Sequence, residues 1–205
     1  MAIKAIVFDV GDIIVKEKAQ LAREIVCKKF GFDSVKFSEY SKKRLGDSYT
    51  GKLNYIDFFN GLIKEDNLKA TPEGMASEWR KARAETSSWI LKNKELVQRL
   101  NKTYLTVSLT NSTKLNDGVE IRKEAYKLFK MNIISHEVGL KKPDEEIYQF
   151  VLEKLELLGV ESQEIVFIDG KEENLAPARE LGANVILFTE NTDLERELNR
   201  LGVRI

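Results

Sequence analysis

The chain has 205 residues, of which 42% are apolar and 32% are charged, a composition typical of a globular protein with a buried core. Its 33 lysines and arginines equal its 33 aspartates and glutamates, so no overall field attracts nucleic acid or an anionic membrane. No apolar run approaches the roughly 18 residues of a membrane span, and residues 1–4 lead directly into a strand, which leaves no room for a signal peptide. We therefore expect a cytoplasmic protein without nucleic-acid or membrane partners, whose oligomeric state the sequence leaves open. The single cysteine, Cys27, cannot form an internal disulfide and is expected to pack in a core.

The first predicted strand, residues 3–8, is apolar and stops at an acid, Asp9. Such a run so near the N-terminus is typical of a buried central strand in a parallel sheet. Open α/β sheets bind ligands at the carboxyl ends of their strands, which is where Asp9 falls. Gly11 is expected to let the chain turn sharply and to leave its carbonyl facing the same way as Asp9. An acid beside a free carbonyl suits a hard cation or an aspartyl nucleophile, whereas an Asp that caps a turn is the alternative.

The long region between residues 16 and 101 has apolar residues at helical spacing, with helices predicted at 19–26, 55–63 and 74–90. It is too long for an ordinary crossover between two strands. We interpret it as a helical cap above the strand ends. Within it, the polar segment 46–51 is predicted to be a loop. This segment and its flanking Arg44 and Lys52 are candidates to face the active site.

From residue 101 onward, predicted strands alternate with predicted helices. The strands fall at 104–109, 133–134, 165–168 and 185–188. This alternation predicts an α/β fold with a doubly wound parallel sheet. We expect residues 1–15 and 101–205 to form the α/β core domain and residues 16–100 to form the inserted all-helical cap domain.

Three of the predicted strands end at polar residues, namely Asp9, Thr110 and Asp169, and Lys142 lies between the last two. Taken singly, Thr110 resembles a turn residue, Lys142 a solvated surface lysine and Asp169-Gly170 a common turn dipeptide. Only their joint order favours a shared site.

These four segments, residues 8–14, 107–112, 138–148 and 167–174, resemble in order the four motifs of the haloacid dehalogenase superfamily, most members of which are phosphatases and phosphomutases. The resemblance spans the chain and implies a Rossmann-like core. It also implies that Asp9 is the nucleophile that becomes an aspartyl phosphate, with Thr110 and Lys142 as its catalytic partners. The implied phosphate ligands are Thr110, Asn111 and Lys142, and the implied Mg²⁺ ligands are Asp9, the carbonyl of Gly11 and Asp169.

Two positions depart from the pattern of that superfamily. Gly11 stands where most of its phosphatases carry a general acid, the loss of which costs about 10²- to 10⁴-fold in rate. Gly170 stands where the fourth motif usually carries a second metal-binding Asp, which predicts weak Mg²⁺ binding. Glu173 is a candidate to replace this ligand if the register slips by one residue. Asp12, adjacent to Gly11, is out of position to serve as the acid.

The sequence therefore predicts a Mg²⁺-dependent phosphatase that acts on a small phosphorylated metabolite. A non-catalytic, ligand-binding member of the superfamily is the main alternative, because two glycines replace acids. A metal-independent 2-haloacid dehalogenase also fits Gly170, although Gly11 does not match that group. The only histidine, His136, is expected to be structural.

Overall fold

A computed structural model describes residues 2–205 and contains a five-stranded parallel sheet in the order β5-β4-β1-β6-β7. The first strand of the chain is thus the central strand, as predicted. The strands of this sheet are β1 (Ala5–Phe8), β4 (Leu105–Thr110), β5 (Met131–Ile134), β6 (Ile165–Asp169) and β7 (Asn184–Leu187). Two further strands, β2 (Val15–Glu17) and β3 (Ser87–Trp89), pair with each other in a separate antiparallel ribbon.

Eleven α-helices are found among residues 2–205. They are α1 (Ala19–Phe30), α2 (Ser34–Tyr49), α3 (Tyr55–Glu65), α4 (Pro72–Thr86), α5 (Leu91–Leu100), α6 (Lys114–Asp117), α7 (Glu120–Tyr126), α8 (Ser135–Val138), α9 (Glu145–Glu156), α10 (Glu172–Glu180) and α11 (Leu194–Arg200). No helix in this part of the chain is long and apolar enough to cross a membrane.

The central strand is buried on both faces because helices cover both sides of the sheet. Ile6 and Phe8 pack in a cluster with residues of α5 and α11. Ala5 and Val7 point to the opposite face, into a cluster with residues of α9 and α10. Since successive side chains of a strand alternate between the faces, this strand needs apolar residues at every position. The α/β doubly wound prediction is confirmed.

The prediction that residues 16–100 are all helical is wrong at both ends of that region. The helix expected over 74–90 ends at Thr86, and the chain then forms β3 against β2. The segment 46–51 is also not a loop throughout, because α2 continues to Tyr49. Helix α5 packs its Leu96, Val97 and Leu100 against the central sheet rather than against the other helices of the region. We therefore propose that the cap comprises α1 to α4 and that α5 belongs to the core domain.

The cap helices α1 to α4 enclose apolar clusters of their own. Phe37, Phe59 and Met75 are buried together with Cys27, which confirms the packing role expected for the cysteine. Ala22, Val26 and Ala82 form a second cluster where α1 meets α4. The cap thus has apolar cores separate from those of the sheet.

A buried ion-pair network joins the cap to the core at Glu17, the last residue of β2. One oxygen of its carboxylate lies 2.5 Å from Arg83 Nη2 of the cap helix α4, and the other lies 2.5 Å from Arg122 Nη1 of the core helix α7. The two arginine side chains are at most 4% exposed. Asp117 Oδ1 lies 3.5 Å from Arg122 Nε and supplies the second negative charge. Because buried charges are stable only when paired, Glu17 is required where the two arginines meet.

We expect Glu17→Gln to lower the free energy of unfolding at neutral pH by about 3 kcal/mol, because Arg83 then loses its buried counter-charge and Arg122 keeps only Asp117. Burial alone would raise the pKa of Glu17, but Arg122 and Arg83 hold it below its ordinary value. The stabilisation is therefore complete above the unfolded-state pKa and is lost as the pH falls through the lower folded-state pKa.

Denaturant unfolding of both proteins from neutral to acid pH measures this effect. The matched control is Glu190→Gln, since Glu190 is 89% exposed and its ion-pair partner within residues 2–205 is Lys16 alone. A loss of stability in Glu17→Gln no greater than in the control would contradict the assigned role.

Candidate functional site

Asp9, Lys142 and Asp169 meet at the carboxyl ends of the central strands. Lys142 Nζ lies 3.1 Å from Asp9 Oδ1 and 2.5 Å from Asp169 Oδ2, and it donates a hydrogen bond of 2.8 Å to the carbonyl of Leu109. Asp9 directly follows β1, whereas Asp169 ends β6 and Leu109 lies near the end of β4. Since β4 and β6 are the two neighbours of β1, the sheet itself brings these groups together.

The pKa values at this cluster reflect burial and mutual charge. Burial raises the pKa of Asp9 above its ordinary value, and the opposing effect of Lys142 does not cancel that increase. For Lys142 burial acts to lower the pKa, but the two carboxylates outweigh it and raise the pKa. The lysine is therefore an ammonium at neutral pH, able to attract both the Asp9 carboxylate and an incoming anion.

Asp169 is held by bonds to both of its oxygens. Oδ2 faces Lys142, while Oδ1 accepts hydrogen bonds from the amide of Lys171 at 2.9 Å and from Asn174 Nδ2 at 3.0 Å. Gly170 follows it at an exposed position. Glu173, the alternative metal ligand, is 66% exposed and lies 3.6 Å from Lys171 Nζ, away from this cluster.

Asn111, predicted to bind phosphate, uses its side chain on the backbone of Lys142. Its Nδ2 donates to the Lys142 carbonyl at 2.7 Å and its Oδ1 accepts from the Lys142 amide at 2.8 Å. These bonds use the Oδ1 atom and one of the two Nδ2 hydrogens, so the second Nδ2 hydrogen and the main chain of Asn111 are left to contact a phosphate. The two bonds fix the backbone from which the lysine side chain reaches the strand ends, which makes Asn111 a positioning residue.

Thr110, at the end of β4, is buried and its hydroxyl accepts a hydrogen bond of 3.2 Å from Arg122 Nη2. A hydroxyl that accepts from a guanidinium still has its own hydrogen to donate. Thr110 thus keeps a donor, which is what the predicted contact with a phosphoryl oxygen requires.

The turn after β1 differs from the expectation in one respect. The left-handed conformation is adopted by Asp12, with φ of 56°, and not by Gly11. The Asp12 carboxylate accepts a hydrogen bond from the amide of Glu17 at 3.0 Å, so its role is to stabilise the turn. A Cβ at Gly11 would lie 3.6 Å from Glu17 Oε2. This is an ordinary contact distance, so the Glu17 carboxylate packs directly against Gly11, two residues after Asp9.

Glu17 does not restore the missing acid, because its two arginine partners keep its pKa low and the carboxylate ionised. Neither Glu17 nor Arg122, the residue that orients Thr110, lies in a sequence motif that would have identified it. A second, half-buried acid was also missed. Asp117 accepts hydrogen bonds from Ser112 at 2.5 Å and from Tyr126 at 2.6 Å, and its other oxygen lies 2.6 Å from His136 Nε2. His136 thus has a structural partner.

The sequence suggested that Arg44, Lys52 and the segment 46–51, which contains Tyr49, face the active site, but these residues lie in different places. Arg44 stacks 3.6 Å above the ring of Tyr40 and lies 3.5 Å from Glu65, both within the cap. Tyr49 lines a large cavity between the cap and the strand ends. Lys52 is exposed.

The oxygen atoms near Asp9 fit Mg²⁺ only as a sparse ligand set. No group of three or more His, Cys, Asp or Glu side chains suited to a metal occurs among residues 2–205. The Gly11 carbonyl accepts no backbone hydrogen bond there, and the Asp9 side chain is 19% exposed. Magnesium characteristically combines one or two carboxylates with water and phosphate oxygens, so these residues suit an ion held largely by a bound phosphate.

Curated proteins similar to this chain match it over part of their own length. The drimenol cyclase drtB of Aspergillus calidoustus is 25% identical over 206 residues, which is 97% of this chain and 36% of that protein. The bifunctional epoxide hydrolase 2 of Rattus norvegicus is 34% identical over 93 residues, 45% of this chain and 16% of that protein. The chain thus spans about a third of the first protein and matches a smaller part of the second.

Solved structures resemble the chain along most of its length. A haloacid dehalogenase family enzyme of Bacteroides thetaiotaomicron, in complex with magnesium and inorganic phosphate, superposes with a TM-score of 0.79. It is 20% identical, and the alignment covers 96% of this chain and 99% of that one. The magnesium-bound hydrolase YfnB of Bacillus subtilis gives a TM-score of 0.71 at 16% identity and covers 99% of this chain and 100% of its own.

At these identities the structural similarity establishes the fold, while the family itself follows from the sequence. The family model described as haloacid dehalogenase-like hydrolase matches residues 3–182. That match includes β1 to β6 with Asp9, Lys142 and Asp169, and it includes the whole cap. The chain belongs to the haloacid dehalogenase-like hydrolases.

Proposed function

We propose that this protein is a Mg²⁺-dependent phosphatase that hydrolyses a small phosphorylated metabolite through an aspartyl phosphate. The observation that carries the proposal is the position of the Lys142 ammonium between the carboxylates of Asp9 and Asp169 at the ends of adjacent strands. This arrangement presents an oxygen nucleophile beside a fixed positive charge, which is what phosphoryl transfer requires. A cytoplasmic location without nucleic-acid or membrane partners stays a prediction.

In the first step, an oxygen of the Asp9 carboxylate attacks phosphorus and the bond from phosphorus to the ester oxygen breaks. Lys142 stabilises the negative charge on the phosphoryl oxygens, and the Thr110 hydroxyl donates to one of them. The departing alkoxide takes a proton from water, because Gly11 supplies no acid and Glu17 is ionised. Esters with acidic leaving groups are therefore favoured.

In the second step, water attacks phosphorus of the aspartyl phosphate. The acyl phosphate bond breaks, inorganic phosphate leaves and the Asp9 carboxylate is regenerated. Asp169 holds Lys142 in place throughout, since its second oxygen is fixed by Lys171 and Asn174. Asn111 does the same from the backbone side.

Magnesium would be held by the Asp9 carboxylate, the Gly11 carbonyl and, if it exchanges a present partner, Asp169. It would supply positive charge toward the phosphoryl oxygens. The need for such charge follows from the cluster itself. One ammonium between two carboxylates leaves a net negative charge, which repels a phosphate dianion unless a cation offsets it.

We expect Asp9→Asn to reduce phosphate release from p-nitrophenyl phosphate by more than about a thousandfold, because the amide has the shape of the carboxylate but is a poor nucleophile. The assay is run with Mg²⁺ and with EDTA. The matched control is Asp12→Asn, at the left-handed residue that asparagine also tolerates. Comparable activity in Asp9→Asn and wild type would exclude Asp9 as the nucleophile.

We expect Gly170→Asp to tighten Mg²⁺ binding by about tenfold, because it adds a carboxylate ligand at the position of the missing acid. A Cβ there would meet only the Phe188 carbonyl, at an ordinary 3.8 Å, so the variant should fold. Calorimetry with and without inorganic phosphate measures the affinity, and Gly170→Ala is the control that adds the Cβ alone. Equal affinities of the two variants would contradict the assigned register.

A non-catalytic phosphate-binding protein is the second candidate, favoured by the ionised state of Glu17 next to the side-chain-free Gly11. It would retain binding of inorganic phosphate through Lys142 but release none from any ester. The panel of esters with Mg²⁺ distinguishes the two candidates, because only the phosphatase turns over.

A further inference from the structure

A cavity of about 700 Å³ lies between the cap and the strand ends. This volume falls within the range of small-molecule sites. Six aromatic side chains contribute to its walls, namely Phe37, Tyr49, Tyr55, Phe58, Phe59 and Trp79. Such walls provide ring surfaces against which a flat, apolar body packs.

Three side chains on the wall of this cavity contain a buried polar atom without a hydrogen-bond partner. The atoms are Arg23 Nε, Ser41 Oγ and Arg83 Nη1. Within residues 2–205, these three are the complete set of buried side-chain nitrogen and oxygen atoms without a hydrogen-bond partner. Buried donors are normally satisfied, and each unsatisfied one costs free energy. Because all three residues line one cavity, an acceptor for these atoms is to be sought in a molecule bound there and not in the protein.

Arg23 also lacks a counter-charge. Its Nη1 donates to Ser38 Oγ at 3.0 Å, but no carboxylate in the described part of the chain forms an ion pair with it. Arg83 differs, since Glu17 already neutralises it. We therefore expect an anionic group of the ligand to pair with Arg23, while Ser41 and Arg83 form hydrogen bonds with the ligand.

The cavity begins beside the proposed phosphoryl site. Glu17 lines it and lies next to Gly11, and Thr113 lines it three residues after Thr110. Asp9 is not one of its lining residues, so the cavity has room for the part of a substrate that lies away from the phosphorus. A substrate whose phosphate reaches Asp9 would place its leaving group here.

We propose that this cavity binds the leaving group of the substrate, which has an aromatic or similarly flat apolar body and a second anionic group paired with Arg23. The assignment as leaving group rests on the proposed phosphatase function. The substrate class is then a phosphomonoester with a carboxylate or an equivalent anion at the far end of an apolar body.

The test compares two probes that differ only in the anion, 2-naphthol and 6-hydroxy-2-naphthoate, by calorimetry on the full chain. We expect wild type to bind the naphthoate at least about tenfold more tightly, as a charge-assisted hydrogen bond predicts. In Arg23→Gln this preference should fall to within about threefold. The matched control is Lys28→Gln, which removes a charge from an exposed residue of the same helix and should retain the preference.

Ser41→Ala provides a second variant. Since its hydroxyl has no partner without ligand, we expect the replacement to weaken naphthoate binding and leave the unfolding midpoint unchanged or raised. Equal affinities for both probes in wild type, or an undiminished preference in Arg23→Gln, would overturn the proposal.

Turnover separates this proposal from the proposed function. Hydrolysis of phenyl phosphate without any preference for the naphthoate would leave a phosphatase and refute the cavity assignment. No turnover of any ester, together with an Arg23-dependent preference, would refute the phosphatase and retain the site as one for an anionic aromatic ligand.

Discussion

The ammonium of Lys142 between two carboxylates is the interaction on which the arrangement of the strand ends depends. Asp9 and Asp169 lie on either side of it, and without the cation two buried like charges would repel each other. The hydrogen bond to the Leu109 carbonyl adds the end of a third strand. A single side chain thus joins the ends of β1, β4 and β6, and the same charge is available to an incoming anion.

Around that cluster, neighbouring side chains hold Lys142 and Thr110 in position. Asn111 fixes the backbone of Lys142, and Arg122 orients the hydroxyl of Thr110. Arg122 also pairs with Glu17, which in turn pairs with the cap residue Arg83. The position of the cap is therefore linked to the candidate site at the strand ends through one continuous chain of ion pairs and a hydrogen bond.

The central sheet could be predicted from the sequence because the apolar patterns that indicate its strands are local. Apolar strands that end on Asp9, Thr110 and Asp169 can be read without knowledge of distant contacts. Glu17 and Arg122 could not be found in this way, since their importance comes from contacts between elements far apart in the chain. The β-ribbon was missed for a related reason. Its strands are only three residues each, too short for an alternating pattern to show.

The ribbon of β2 and β3 carries both connections between the cap and the core, side by side. The two ends of the inserted segment are therefore already adjacent in the core, and the entropy of closing this loop rises only slowly with its length. The cap can then be lengthened, shortened or exchanged at little cost to the folding of the sheet. Chains that share this core and ribbon could diversify in the ligands they select while the chemistry at the strand ends stays constant.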